Sequence, residues 1–331
     1  MNTFRFTIVL TTIFLAACVP QTAPSVPLQP TLQRTNDATS QRTATTQPPN
    51  NPITQSPNRP TPTAQPANNP ISQSQRDFQS PNLQSFPLFD AHLHYSRDAW
   101  TQYPVSAILT TLDRAGIQRA LFSSTPNEGT LRLYEAAPAR IVPEVRPYRV
   151  SEDVSRWYTE PGIVEYIESE LKRPNVPYRG IGEFHIYGDD ARAPFVKRIV
   201  DLAVERNLIL HAHSDDAAIV NLFALNPRAK ILWAHTGMST PIATVEKMLE
   251  RYPNLYAELA LRSDVSSSGK LDPGWRALFL KYPDRFMHGT DTWITPRWED
   301  VVPTARSWLA ELPRDVAEKI AWKNFETLYG K

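Results

Sequence analysis

The chain has 331 residues, 41% of them apolar, but residues 19–86 hold 13 of the 31 prolines and no glycine, a composition that cannot build a core. Beyond residue 86 lie about 245 residues, the size of one large domain, with 30 basic against 32 acidic side chains, so nucleic acid is not an expected partner. A single cysteine excludes both an intramolecular disulfide framework and a cysteine-based zinc site.

Arg5 and the apolar run Phe6 to Ala17 have the charge and length of a secretory signal and are too short to span a membrane. The run ends in Leu15-Ala16-Ala17-Cys18, which resembles the lipobox of a bacterial lipoprotein. That resemblance implies a signal peptide over residues 1–17, cleavage before Cys18 and lipid attachment to its thiol, with the membrane as partner through this anchor. Val19 in place of Asp then implies an extracytoplasmic protein at the outer membrane, facing the periplasm. The alternative is a free thiol after an ordinary signal peptide. Residues 18–86 predict a disordered tether, rich in Pro, Gln, Thr and Asn, that contains an imperfect repeat of residues 50–56 at 68–74. As a coil it spans about 50 Å.

Residues 87–331 alternate short apolar runs with longer amphipathic ones, the pattern of a parallel sheet with crossover helices. The predicted strands are residues 88–94, 119–123, 141–146, 179–185, 208–213, 230–235, 255–259 and 285–291. The clearest helix covers 193–206, where Phe195, Ile199, Leu202 and Ala203 form one stripe and Asn207 ends it. Eight such units in this length fit a (β/α)8 TIM barrel, with catalytic groups at the carboxyl ends of the strands. A doubly wound open sheet has similar periodicity.

All seven histidines, His92, His94, His185, His211, His213, His235 and His288, fall at or near predicted strand ends. Alternation along a strand puts His92 with His94, Glu183 with His185, and His211 with His213 on common faces, with Asp90 deeper on the first. Imidazole and carboxylate ligands suit zinc and neighbouring divalent metals. His288 has the opposite parity to Asp291 and reads as structural. Glu144 and Glu258 face inward by parity, either toward the site or paired with a neighbouring arginine as barrel support.

Asp90-Ala91-His92-Leu93-His94, Gly180-Ile181-Gly182-Glu183, His211, Trp233-Ala234-His235-Thr236-Gly237 and Gly289-Thr290-Asp291 occur in this order on strands one, four, five, six and eight. Together they resemble the amidohydrolase superfamily, specifically its amidohydrolase-related branch, and residues 324–328 are similar to that branch's closing helix. The resemblance implies a metal-dependent hydrolase with a divalent metal: Zn2+, or alternatively Mn2+ or Fe2+, as one ion or two. It implies His92, His94 and Asp291 as ligands, His211 as a further one, and Glu183 where relatives carry a bridging group. His213 shares the face of His211, so the fifth strand is ambiguous, although His211 aligns better. His235 either binds metal or hydrogen-bonds substrate. Relatives often read Gly-Ser-Asp-x-Pro at the eighth strand; here Thr292-Trp293 replaces the proline.

The expected chemistry is water activated by the metal, attacking an amide, ester or lactone bond of a small organic substrate. Asp291 takes the water proton and passes it to the leaving group, and His235 donates to the developing oxyanion. Arg146 and Arg262 are candidate clamps for a substrate carboxylate or phosphate; His213 and Trp293 are candidate pocket residues. A metal-dependent decarboxylase of the same superfamily, and a lipid-anchored binding protein without turnover, are the competing readings.

Overall fold

The computed structural model describes residues 86–292 and 297–330. The predicted signal peptide, Cys18, the predicted tether up to residue 85 and Trp293 lie outside the described residues. Eight strands pair in chain order, all parallel: Leu88–Leu93 (β1), Ile117–Phe122 (β2), Ile141–Val145 (β3), Gly180–His185 (β4), Ile209–His213 (β5), Lys230–Ala234 (β6), Leu255–Glu258 (β7) and Phe286–Met287 (β8). The ring closes between the segment after β8 and β1: Ala91 N donates to His288 O at 2.9 Å, Asp291 N to His92 O at 2.8 Å and His94 N to Thr292 O at 3.2 Å. The fold is therefore the predicted TIM barrel and not the open sheet.

Helices Val105–Ala115 (α1), Glu128–Ala136 (α2), Ile163–Glu170 (α3), Pro194–Glu205 (α4), Asp216–Leu225 (α5), Ile242–Arg251 (α6), Pro273–Lys281 (α7) and Arg297–Leu309 (α8) follow the successive strands. In α4 the stripe is wider than predicted. Val196 and Val200 join Ile199, Leu202 and Ala203 in the core, while Phe195 is only half-buried. Asn207 ends the helix with a φ of 54°, the left-handed turn that asparagine tolerates well. Among the described residues no helix is long and apolar enough to cross a membrane.

Phe89, Ala91, Leu121, Val142, Ile209, Leu232 and Met287 fill the barrel interior below the rim. Phe325 and Tyr329, on the last helix Asn324–Tyr329 (α9 once the short Arg314–Glu318 turn is left aside), close it from the amino-terminal end. Asn324 holds this plug by donating to Pro283 O and Phe286 O, both at 2.8 Å.

One expectation fails on β1. The strand's pairing is irregular between Asp90 and Leu93, so Phe89 and Ala91 face the interior and yet His92 does too. Asp90 instead turns toward β8 and α8. It is fully buried and accepts hydrogen bonds from His92 N (3.1 Å), Thr290 N (3.0 Å), Thr290 Oγ1 (2.7 Å) and Trp298 Nε1 (3.4 Å). It seals the barrel seam and does not lie beneath the histidine pair.

Candidate metal centre

The carboxyl ends of β1, β4, β5 and β6 and the segment after β8 bring His92, His94, Glu183, His213, His235 and Asp291 together. His94 Nε2 lies 3.2 Å from His92 Nε2, 3.2 Å from Glu183 Oε2 and 3.1 Å from Asp291 Oδ1. His92 Nε2 lies 3.5 Å from each of the same two carboxylates. Glu183 Oε1 meets His213 Nδ1 at 2.8 Å and His235 Nε2 at 3.5 Å.

Close backbone approach explains two glycines here. A Cβ on Gly182 would fall 2.4 Å from His211 O, and one on Gly289 would fall 2.3 Å from Glu258 Oε2. Gly182 thereby lets β4 pack closely on β5, and Gly289 leaves room for the Glu258 carboxylate. His235 and Asp291 hold φ values of 55° and 49°, a left-handed conformation that costs a non-glycine residue on the order of 1–3 kcal/mol and concentrates at functional positions.

The hydrogen bonds made by each Nδ1 decide what the rings can do. His94 Nδ1 faces Ser123 O at 2.8 Å, His235 Nδ1 faces Ala260 O at 3.1 Å, and His92 Nδ1 faces Glu258 Oε1 at 3.0 Å. A carbonyl only accepts, and an ionised carboxylate likewise, so each Nδ1 carries the proton and donates. In the neutral rings every Nε2 then points a lone pair at the same small volume. Two imidazole lone pairs 3.2 Å apart, with carboxylates at 3.1–3.5 Å, repel one another unless a cation or a proton sits between them. This donor set fits a divalent cation, each ring being oriented by its other nitrogen, as metal-binding histidines are. His92, His94 and Asp291 form one close-packed ligand group.

Where a proton fills that place, His92 takes it. Burial disfavours its charged form, but Asp291, Glu183 and Glu258 outweigh burial and hold it well above the usual histidine value. Burial also opposes ionisation of Glu183 and Asp291. The His92 charge leads the compensation in both, keeping Glu183 well below the ordinary carboxylate range and Asp291 down at about 2. Cation binding must therefore displace a proton from His92. Zinc affinity is expected to fall by about tenfold for each pH unit lowered below the His92 value, and calorimetry in buffers of different ionisation enthalpy measures the proton released. No proton release at neutral pH would contradict this protonation scheme.

The structure places the remaining predicted site residues as follows. His235 is placed at the site, with Nδ1 donating to Ala260 O. Burial disfavours its charged form, but the Glu183 hydrogen bond and the Glu258 charge outweigh it and raise the ring above the usual histidine value, so Nε2 accepts in the neutral ring and donates in the charged one. On β5, His213 reaches Glu183 and His235 (3.1 Å), whereas fully buried His211 donates from Nδ1 to Glu144 Oε2 at 3.0 Å and leaves Nε2 without a hydrogen-bond partner. Its ring centroid lies 4.5 Å from that of His92. Arg146 reaches the site, but holds Glu183: Nη2 donates to Oε2 at 2.8 Å and Nε to the backbone oxygen at 3.0 Å.

Arg262 does not reach it. Its five donor positions go to Thr236 O, Thr240 O and the Asp264 carboxylate, in the loop between β7 and α7 beside a separate cavity of about 480 Å³, leaving none for substrate. His288 is structural, as expected, with Nδ1 donating to Phe89 O at 2.9 Å.

Sequence reasoning missed the partners that hold the ligands in place. Glu258 accepts from His92 Nδ1, from His235 N at short range, and from Ala260 N at 2.7 Å. Glu144 takes His211 on one oxygen and the Tyr329 hydroxyl, 3.3 Å away, on the other. Neither pairs with an arginine among the described residues. Ser123 Oγ accepts from Glu183 N at 3.0 Å. Inward parity was the readable signal for both glutamates; their partners lie 166 and 67 residues away.

An eight-stranded parallel barrel with oriented histidines and carboxylates converging at its carboxyl rim defines a class of catalytic TIM barrels. The amidohydrolase family profile matches residues 160–331, just over half of the chain, and the chain belongs to that family. Three solved structures share the fold. A TatD homologue from Escherichia coli K12 superposes with a TM-score of 0.52 at 16% identity, over 75% of this chain and 99% of its own. A putative 2-pyrone-4,6-dicarboxylic acid hydrolase from Pseudomonas putida gives 0.51 at 16%, over 73% and 97%. An amidohydrolase from Burkholderia multivorans, solved with bound zinc, gives 0.50 at 13%, over 74% and 99%. Among curated proteins none matches.

Proposed function

We propose that this protein is a hydrolase, dependent on a divalent cation, for an amide, ester or lactone bond of a small organic molecule. The observation that carries this is the convergence of the His92 and His94 lone pairs with the Asp291 and Glu183 carboxylates, each histidine fixed through Nδ1. His92, His94 and Asp291 would hold the cation, zinc being the best match to nitrogen and oxygen donors, with Glu183 beside them. Such an ion, when bound, lowers the pKa of water from 15.7 toward about 7 and polarises the oxygen of the bond to be cleaved.

The chain's own groups supply the rest. Asp291 is ionised at neutral pH and turns Oδ1 toward His94; its Oδ2, 4.0 Å from His235 Nε2, is the oxygen that accepts the water proton and returns it to the leaving group. His213 donates from Nδ1 to Glu183 and fixes that carboxylate together with Arg146. The test is elemental analysis of the purified protein, followed by ester, lactone and amide panels with and without chelator. Bound metal and chelator-sensitive hydrolysis are expected; hydrolysis that survives complete metal removal would overturn the reading.

We also infer that Cys18 carries the lipid that anchors the domain, by its tether, on the periplasmic face of the outer membrane. Leu15-Ala16-Ala17-Cys18 supports this. Labelled palmitate should enter the wild-type chain and not Cys18→Ala; equal labelling of both would refute it.

A further inference from the structure

The mouth of the barrel opens into a cavity of about 470 Å³, lined by His94, Arg146, Tyr148, Glu183, His185 and Asp291 among others. Its volume suits a small organic molecule. The mechanism proposed above uses neither His185 nor Tyr148, and only part of Arg146.

Tyr148 is buried, and its oxygen accepts from His185 N at 2.7 Å. The hydroxyl proton has one acceptor among the described residues, His185 Nδ1 at 3.0 Å. The opposite arrangement, with Nδ1 donating to the tyrosine, would leave a buried hydroxyl proton unsatisfied, at a cost of about 1–3 kcal/mol. Tyr148 thus fixes the His185 tautomer: Nδ1 accepts and Nε2 carries the proton. Nε2 has no hydrogen-bond partner among the described residues, and the ring lines the cavity. In this tautomer Nε2 presents a proton and not a lone pair, although His185 lies close to Glu183 and His213.

Arg146 stacks its guanidinium 4.8 Å from the Tyr148 ring centroid, so arginine, tyrosine and histidine form one continuous wall. Arg146 is 8% exposed. Its Nε and Nη2 are taken by Glu183, but Nη1 has only a 3.5 Å contact with His94 Nδ1, whose proton already goes to Ser123 O and which therefore cannot accept. A charged donor and a neutral donor, neither with an acceptor among the described residues, belong to side chains that line the same cavity. Arg97 stands exposed at the rim of this cavity, with Asp98 beside it.

Resting on the hydrolase reading, we infer that the substrate carries a carboxylate, received by Arg146 Nη1 and His185 Nε2–H on the wall of the cavity beside His94 and Glu183, while the bond to be cleaved faces Asp291. A carboxylate offers acceptors to two donors at once and gains from the fixed charge of arginine. Its amide counterpart offers a single acceptor oxygen and no charge.

The test measures binding and needs no turnover. Benzoate and benzamide, matched in shape, are titrated by calorimetry into the full chain with its metal and again after chelator treatment. Benzoate is expected to bind at least tenfold more tightly than benzamide in both forms. His185→Leu should lose most of that preference, and His185→Gln, which keeps an N–H donor, should recover part of it. Nitrogen chemical shifts of labelled His185 should report the Nε2–H tautomer, and Tyr148→Phe should disturb it.

Equal binding of the two probes, an unchanged preference in His185→Leu, a preference confined to the metal-loaded form, or an Nδ1–H tautomer would each overturn the inference. A benzoate preference with no hydrolysis across the panels would instead defeat the hydrolase reading alone. Chelator-sensitive hydrolysis without a benzoate preference would defeat only this one.

Discussion

Replacing His92 with alanine is expected to abolish bound metal and reduce kcat/KM by on the order of a thousandfold or more, the equivalent of several kcal/mol of transition-state stabilisation. The reason is positional. His92 Nε2 stands 3.2 Å from His94 Nε2 and 3.5 Å from both Glu183 and Asp291, at the centre of the ligand group. Asp291→Asn should be nearly as damaging, because it removes both a ligand and the proton acceptor. The two variants are separable by metal content: Asn retains a carbonyl oxygen and should keep more metal than His92→Ala while turning over as poorly. Hydrolysis by either variant at the wild-type rate would show that the ligands are misassigned.

Glu258→Ala is expected to be the most destabilising single change at the site. The fully buried carboxylate accepts from His92 Nδ1, His235 N and Ala260 N, and its removal leaves three buried donors without an acceptor. At about 1–3 kcal/mol for each such group, partly relieved by relaxation, the loss is about 3–5 kcal/mol, or roughly 10 °C in Tm for a domain of this size.

The pH dependence has a definite sign. Burial opposes ionisation of Glu258, but the charge and hydrogen bond of His92, with the charges of His235 and His211, bring its carboxyl from about 4.5 down to about 2. A depressed folded-state pKa contributes stability that is complete above the unfolded value and is lost as pH falls through the folded one. The gap in stability between wild type and Glu258→Ala should therefore narrow between pH 4.5 and pH 2. A gap independent of pH over that window would mean that Glu258 acts through packing and not through its charge.

Much of this architecture was legible from residues alone, and the exceptions share a cause. The eight strands follow from apolar runs alternating with amphipathic ones, a spacing shared by a closed barrel and an open sheet, and the histidines stood out because imidazoles fell repeatedly at strand ends. Strict alternation misplaced Asp90, since a pairing irregularity between Asp90 and Leu93 shifts the facing of neighbouring side chains. The β8 strand is shorter than predicted, Phe286–Met287 instead of 285–291, and the chain beyond it continues to pair with β1 through His288 O and Asp291 N. Arg262 looked like a loop arginine free for substrate, and no local signal showed that Thr236, Thr240 and Asp264 would take its donors. Tyr148 and Ser123 were invisible for a related reason: their importance lies in the tautomers they fix across strands, and a one-dimensional pattern carries no hydrogen-bond direction.

The most direct measurement is a zinc titration of the chelator-stripped full chain, wild type beside His92→Ala, followed by calorimetry. The account expects saturable, stoichiometric zinc binding to the wild type and its loss in the variant. Equal zinc binding by the two proteins, or none by the wild type, would contradict it.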